Sequence, residues 1–182
     1  MPEQTLPDSM APNLVLLSIG INPSNYSVEK GFNFARPGNR FWPGLNASGL
    51  LIEPVEPGPA AVRLLLERDR IGFTDIVKRA TPSAKDLHDD DYRLGANVLM
   101  SKIRVNKPRI AWFQGTSAYA KFLLHAMSVR RKVSSGLQEE RIGTTRIFVT
   151  PNPSGANPAA APKALLAHFR SLAEFRRTLT DE

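Results

Sequence analysis

The sequence predicts one three-layer α/β/α domain with a mostly parallel central sheet. Three observations carry that expectation. Short apolar runs of strand length, Leu14 to Gly20, Ile71 to Val77, Arg109 to Phe113 and Arg146 to Val149, alternate with stretches of helical periodicity. At 182 residues, 42% of them apolar, the chain is large enough for a substantial core and is most simply one domain. The first and last of these runs each discharge into an Asn-Pro dipeptide, Asn22-Pro23 and Asn152-Pro153. In open α/β sheets, ligands sit just beyond the carboxyl ends of the strands.

Taken in order, residues 1–13 lack the basic start and apolar core of a signal peptide and read as a short flexible leader to a domain spanning 14–182. The first strand is followed by a glycine-bounded loop, Gly31 to Gly38, and a short helix opening near Arg40. A proline-rich connection leads to a helix over about Ala60 to Arg68, with Val62, Leu65 and Leu66 as its core stripe. Ile71 to Val77 is a short strand or a buried turn, and Thr81 to His88 is a polar loop. Asp89, Asp90 and Asp91 suit a solvated helix start, with Leu94, Val98, Met100 and Ile103 expected to supply that helix's apolar contacts. Pro108 opens the next strand, and a helix runs from Ser117 to about Met127. Arg130, Arg131 and Lys132 form a basic knot in an exposed loop. Gly143-Thr144-Thr145 joins two strands as a hairpin, and a final helix covers about Pro162 to Thr178.

Composition excludes several classes of function. There is no cysteine, so neither disulfides nor thiol catalysis is available, which is compatible with a reducing cytoplasm. No window has the length and apolarity of a membrane helix. The three histidines are scattered, and no Walker-type or dinucleotide glycine pattern is present, so neither a metal nor a nucleotide cofactor is expected. The net charge of +7 favours a polyanionic partner.

The candidate pocket residues each admit two readings. Asn22 can hold a water or a leaving group but cannot act as a base at neutral pH; alternatively it only bends the chain. Phe34 can stack on a planar ligand such as a nucleobase, or pack in the core as Phe32, Phe41 and Trp42 are expected to do. Asp75, the one carboxylate within Ile71 to Val77, can orient or deprotonate water, or serve as a cap or an ion-pair partner of Lys78 or Arg79.

Together, Gly20-Ile21-Asn22-Pro23, Gly31-Phe32-Asn33-Phe34-Ala35, Asn39-Arg40-Phe41-Trp42 and Asn152-Pro153-Ser154-Gly155 resemble the mismatch-specific uracil-DNA glycosylases. Gly72-Phe73-Thr74, Arg79-Ala80-Thr81-Pro82 and Ser83-Ala84-Lys85-Asp86-Leu87 resemble the related thymine-DNA glycosylases, within the same uracil-DNA glycosylase superfamily. The resemblance spans roughly Leu14 to Leu179 and implies hydrolysis of the N-glycosidic bond of a uracil mispaired with guanine in double-stranded DNA. Single-stranded DNA is a second candidate substrate, and the enzyme is expected to act as a monomer without a cofactor. It further implies that Asn22 holds the attacking water and Phe34 stacks on the flipped base. Ile21, Ser27 and Asn152 would line the base pocket. Ser154, Gly155 and Ala156 would enter the duplex, and the Gly115 and Thr116 amides would meet a phosphate. The chain departs from the family pattern in carrying Ala156 for a wedging leucine, Pro158 for an arginine and Thr116 for a lysine. Asp75 stands where relatives carry lysine or asparagine, and is expected to be a second catalytic residue. The alternatives are a non-catalytic nucleic-acid-binding module of the same fold and a hydrolase of free nucleosides.

Overall fold

The computed structural model describes residues 4–179. Five strands form one sheet: β1 (Leu16–Gly20), β2 (Ile71–Asp75), β3 (Ile110–Gln114), β4 (Gly136–Ile142) and β5 (Thr145–Thr150). Their spatial order is β2-β1-β3-β5-β4, with every pairing parallel except that of β4 with β5. The helices are α1 (Asn25–Lys30), α2 (Phe41–Ala47), α3 (Pro59–Leu64), α4 (Asp89–Asn106), α5 (Thr116–Met127) and α6 (Pro162–Thr178).

Side-chain alternation along the strands creates the layers. Leu17, Ile19, Ala111, Phe113, Ile147 and Val149 point to one face and pack with α4 and α5. Leu16, Ile71, Phe73, Ile110, Trp112 and Phe148 point to the other and pack with α2, α3 and α6. The central strands are covered on both sides, which is why they read as continuous apolar runs. The expected α/β/α sandwich is the observed one.

Several local expectations need correction. Residues 4–13 are laid against the domain. Leu6 is buried, and Ser9 pairs antiparallel with Phe73 by two backbone hydrogen bonds of 2.9 and 2.8 Å. The expected leader is therefore structural from residue 4 onward; its first three residues lie outside the described residues. Helix α1 is an addition to the expected elements: it is one short piece capped by the Ser24 side chain, which accepts from the Ser27 amide, and closed by Gly31 in the left-handed region. The helix expected to reach Arg68 ends at Leu64 and continues as a π-helical turn over Leu65–Asp69. Leu94 and Val98 do not supply core contacts: they are 62% and 52% exposed. The buried stripe of α4 is Ala96, Leu99, Met100 and Ile103, whose i, i+3, i+4, i+7 spacing leaves Leu94 and Val98 off its axis. The basic knot is exposed as expected, and within it Arg131 pairs with Glu140 at 2.7 Å.

Candidate active site

A cavity of about 330 Å³ opens at the carboxyl ends of β1, β2 and β3, lined among others by Gly20, Asn22, Ser27, Phe34, Asp75, Gln114 and Asn152. Parallel pairing sets Gly20 beside Asp75. A Cβ on Gly20 would lie 2.4 Å from Asp75 Oδ1, so only glycine lets the carboxylate lie across the strand end.

Asn22 is held by its donors. Its Nδ2 donates to the Arg79 carbonyl at 3.0 Å and to Thr81 Oγ1 at 2.7 Å. The Thr81 hydroxyl in turn donates to the Ser83 carbonyl at 2.8 Å, and Asp91 anchors the Arg79 guanidinium at 2.6 Å. Both amide protons are thus committed, and Oδ1 remains to accept from a molecule in the cavity.

Asp75 is only 5% exposed, and its Oδ2 has no hydrogen-bond partner. Lys78, the expected ion-pair partner, lies 4.0 Å from that oxygen but 2.7 Å from Asp8. Arg79, the other expected partner, is engaged with Asp91. Asp8 collects Lys78, Lys102 and the Thr74 hydroxyl. Burial works to raise the Asp8 carboxyl, but hydrogen bonds from Lys102, Lys78 and Thr74 outweigh it and hold it below the ordinary range. Burial pushes the Asp75 carboxyl up to about 6; Lys78 and Lys102 oppose this and Asp8 reinforces it.

Phe34 forms the floor. Its φ of 57° puts a bulky residue in the left-handed region, an outlier that only surrounding packing maintains. The ring stacks on Phe41 at 4.2 Å with a 22° interplanar angle. Phe41 is fully buried against Trp42, Phe73, Trp112 and Phe169, so the ring beneath Phe34 is rigidly held.

On the opposite wall, Asn152 Oδ1 accepts from the Ser154 amide at 3.0 Å, which leaves its Nδ2 as the group available to a ligand. Arg40 binds this loop in place: its amide donates to the Pro153 carbonyl, and its guanidinium to the carbonyls of Gly155, Asn157 and Ala160. Gly155 approaches Gly38 so closely that a Cβ would lie 2.7 Å from the Gly38 oxygen. Gly155 and Ala156 are exposed at the rim. Ser27 is buried, its Oγ accepting from Ala35 N at 3.2 Å and from Ser24 Oγ at 3.1 Å. The Ile21 carbonyl already accepts from Val77 N.

Gly115 stands apart from this group. Its N–H donates to the Thr150 carbonyl at 2.7 Å, so it is committed inside the protein and not offered to a phosphate. At that helix start the amides of Thr116, Ser117 and Ala118 remain, since the Tyr119 amide donates to the Gly115 carbonyl. Sequence reasoning misses Thr81, Gln114, Arg40 and Asp8. Thr81 falls in a segment that reads as a polar loop. Arg40 stands out only as part of a motif, and Asp8 belongs to the supposed leader. Among the described residues no group of acidic and histidine side chains is arranged to hold a metal. No helix there is long and apolar enough to cross a membrane.

The family model described as the uracil DNA glycosylase superfamily matches residues 7–175. The fold is also similar to the solution structure of a candidate uracil DNA glycosylase from Methanosarcina acetivorans. That match has a TM-score of 0.61 at 21% identity, covering 96% of this chain and 98% of the other.

Proposed function

This chain belongs to the uracil DNA glycosylase superfamily, and from that premise we propose that it hydrolyses the N-glycosidic bond of uracil in double-stranded DNA, at G·U mismatches and in further contexts. The observation that carries the reading is the convergence of Asn22 Oδ1 and the Asp75 carboxylate on one cavity floored by Phe34.

A base inside a duplex is out of reach of such a cavity, so the target nucleotide is flipped and its base laid on the free face of Phe34. Asn152 Nδ2 donates to a carbonyl of the base and favours it as negative charge develops. The C1′–N1 bond breaks with its electron pair going to the base, leaving an oxocarbenium-like sugar. A water accepted by Asn22 and Asp75 adds its oxygen to C1′, and its proton passes to the Asp75 carboxylate. The departing base then takes a proton back. Asp75 serves as base and as counter-anion to the sugar, two roles that Asn22 lacks the chemistry to fill. Ser154, Gly155 and Ala156 lie on the rim that would meet the duplex, and Thr116 offers an amide to a phosphate. The reading requires no cofactor and one copy of the chain.

The test is base release from a panel: G·U and A·U duplexes, single-stranded uracil DNA and free deoxyuridine. Release from the duplexes, G·U foremost, is expected. Activity confined to deoxyuridine would make the protein a nucleoside hydrolase. Binding without release from any substrate would make it a non-catalytic module.

A further inference from the structure

The positive charge of this protein does not gather at the base cavity. Arg36 and Lys85 are the cations that line it. Five others meet at the opposite end of the sheet, where two adjoining cavities of about 570 and 440 Å³ share Lys107, Arg109 and Thr144. Arg70 lines the first, and Arg141 and Arg146 line the second. These residues come from the starts of β2, β3 and β5, the end of β4 with the turn that follows it, and the end of α4. No carboxylate among the described residues lines either cavity, and none pairs with any of the five.

Part of this clustering has a local explanation. Arg70 donates to the carbonyls of Pro12 and Asn13, and Lys107 caps the C-terminus of α4, where a cation meets the negative end of the helix dipole. Arg109 and Arg141 have no such account, and Arg146 has only a ring contact. Arg141 and Arg146 are directly opposed in the antiparallel β4–β5 ladder, where like charges repel. The Arg146 guanidinium lies 5.3 Å from the Phe175 ring, and its Nε is buried without an acceptor. Arg109 is exposed between them and Lys107. Repulsion, an orphaned N–H and the lack of any carboxylate lining among the described residues are what an anion of several charges would relieve.

A strand of five residues spans about 17 Å, so a duplex docked at the base cavity leaves the concavity at the far end of the sheet uncovered. We propose that this rear concavity binds the phosphodiester backbone of a second nucleic-acid segment, so that one protein molecule can hold two duplexes at once. The proposal rests on the reading of DNA as this protein's substrate. Its purpose follows from geometry: a protein held to a second segment at the rear can pass between segments without entering bulk solvent.

The test occupies the front first. The protein is bound to a duplex carrying a non-hydrolysable 2′-fluoro-deoxyuridine opposite guanine, and an undamaged, fluorescently labelled duplex is then added. A ternary complex is expected, weakening steeply with salt. Charge reversal at the exposed Arg109→Glu and Arg141→Glu positions should weaken uptake of the second duplex at least tenfold. It should also flatten the salt slope by about 0.9 for each phosphate that is no longer neutralised. Single-turnover uracil release from a short duplex should be unchanged in that variant. Equal uptake of the second duplex by parent and variant would overturn the proposal, as would no uptake by the parent. Inorganic tripolyphosphate binding to the parent and not to the variant, without duplex uptake, would also overturn it and leave a small-polyanion site. Failure of the glycosylase reading is separate: it shows as no uracil release by the parent on any substrate.

Discussion

Asn22 and Asp75 present oxygens to the same cavity from neighbouring strand ends, and they are held in opposite ways. Every donor of the Asn22 amide is bound by protein, so its orientation is fixed by a chain running through Thr81, Arg79 and Asp91. Asp75 is fixed by being walled in; one of its oxygens has no hydrogen-bond partner. An amide is well served by the first arrangement, because its value lies in direction. A carboxylate is made basic by the second, because what it lacks in solvation raises its affinity for a proton. On the proposed mechanism, the difference teaches that positioning water and deprotonating it fall to separate side chains.

The largest effect expected is that of Asp75→Asn. Loss of the base should lower single-turnover uracil release by about 10²–10⁴-fold, with duplex binding kept. The same variant carries a stability signature. A carboxyl that titrates near 6 in the folded protein and near 3.8 unfolded binds its proton more tightly when folded. Between those values the native state holds more protons than the unfolded state, so parent stability falls as pH rises from about 4 to about 6, by about 3 kcal/mol from this group. Thermal denaturation across that range should show this decline in the parent and its absence in Asp75→Asn. An Asp75 that served only as an ion-pair partner would give the opposite trend.

Phe34 is common to both oxygens, and removing it should not distinguish them. Phe34→Ala is expected to cost about 1–3 kcal/mol of stacking, read as reduced kcat/KM with the pH profile unmoved. Thr81→Val touches the Asn22 side alone. It leaves one amide proton without an acceptor, and kcat should fall roughly tenfold, about 1.4 kcal/mol. A normal rate in that variant would show that Asn22 needs no second tether.

The smallest effect sharpens the Asp75 side. Asp8→Asn removes the charge that draws Lys78 away and that itself opposes Asp75 ionisation. Both changes lower the Asp75 pKa, so the rising limb of the pH–rate profile should move toward acid. Lys102→Met removes a cation that favours the ionised form and should move it toward alkali. Identical limbs in both variants would detach Asp8 and Lys102 from the chemistry.

The parts of this arrangement that could be read from the sequence are those that depend on strand periodicity and strand ends. Apolar runs covered on both faces mark β1, β3 and β5, and the Asn-Pro dipeptides mark where two of them stop. Asn22 and Asn152 are legible because each follows such a run, Asp75 because it is the one carboxylate within Ile71 to Val77, and Phe34 as an aromatic in a glycine-bounded loop. Thr81 and Arg40 are not, since their partners lie 59 and 115–120 positions away. The commitment of the Gly115 amide is equally hidden, because it depends on how closely the end of β3 approaches β5. Leu94 and Val98 mislead because α4 has apolar residues on more than one face, and only packing selects between them.

Leu6 lines the base cavity, and two residues later Asp8 governs the ions around Asp75. A deletion placed at Asn13, where the apolar sequence begins, would keep every strand and helix. It would open one wall of the cavity to water, release Lys78 toward the Asp75 carboxylate and expose the backbone of Phe73 along an unpaired edge. Such a shortened protein would fold and pass as intact by its circular dichroism, while Asp75, the base of the proposed mechanism, would titrate like an ordinary surface aspartate. An affinity tag joined close to Leu6 would press on the same wall, so the end of the chain that looks most dispensable is a poor place for a handle.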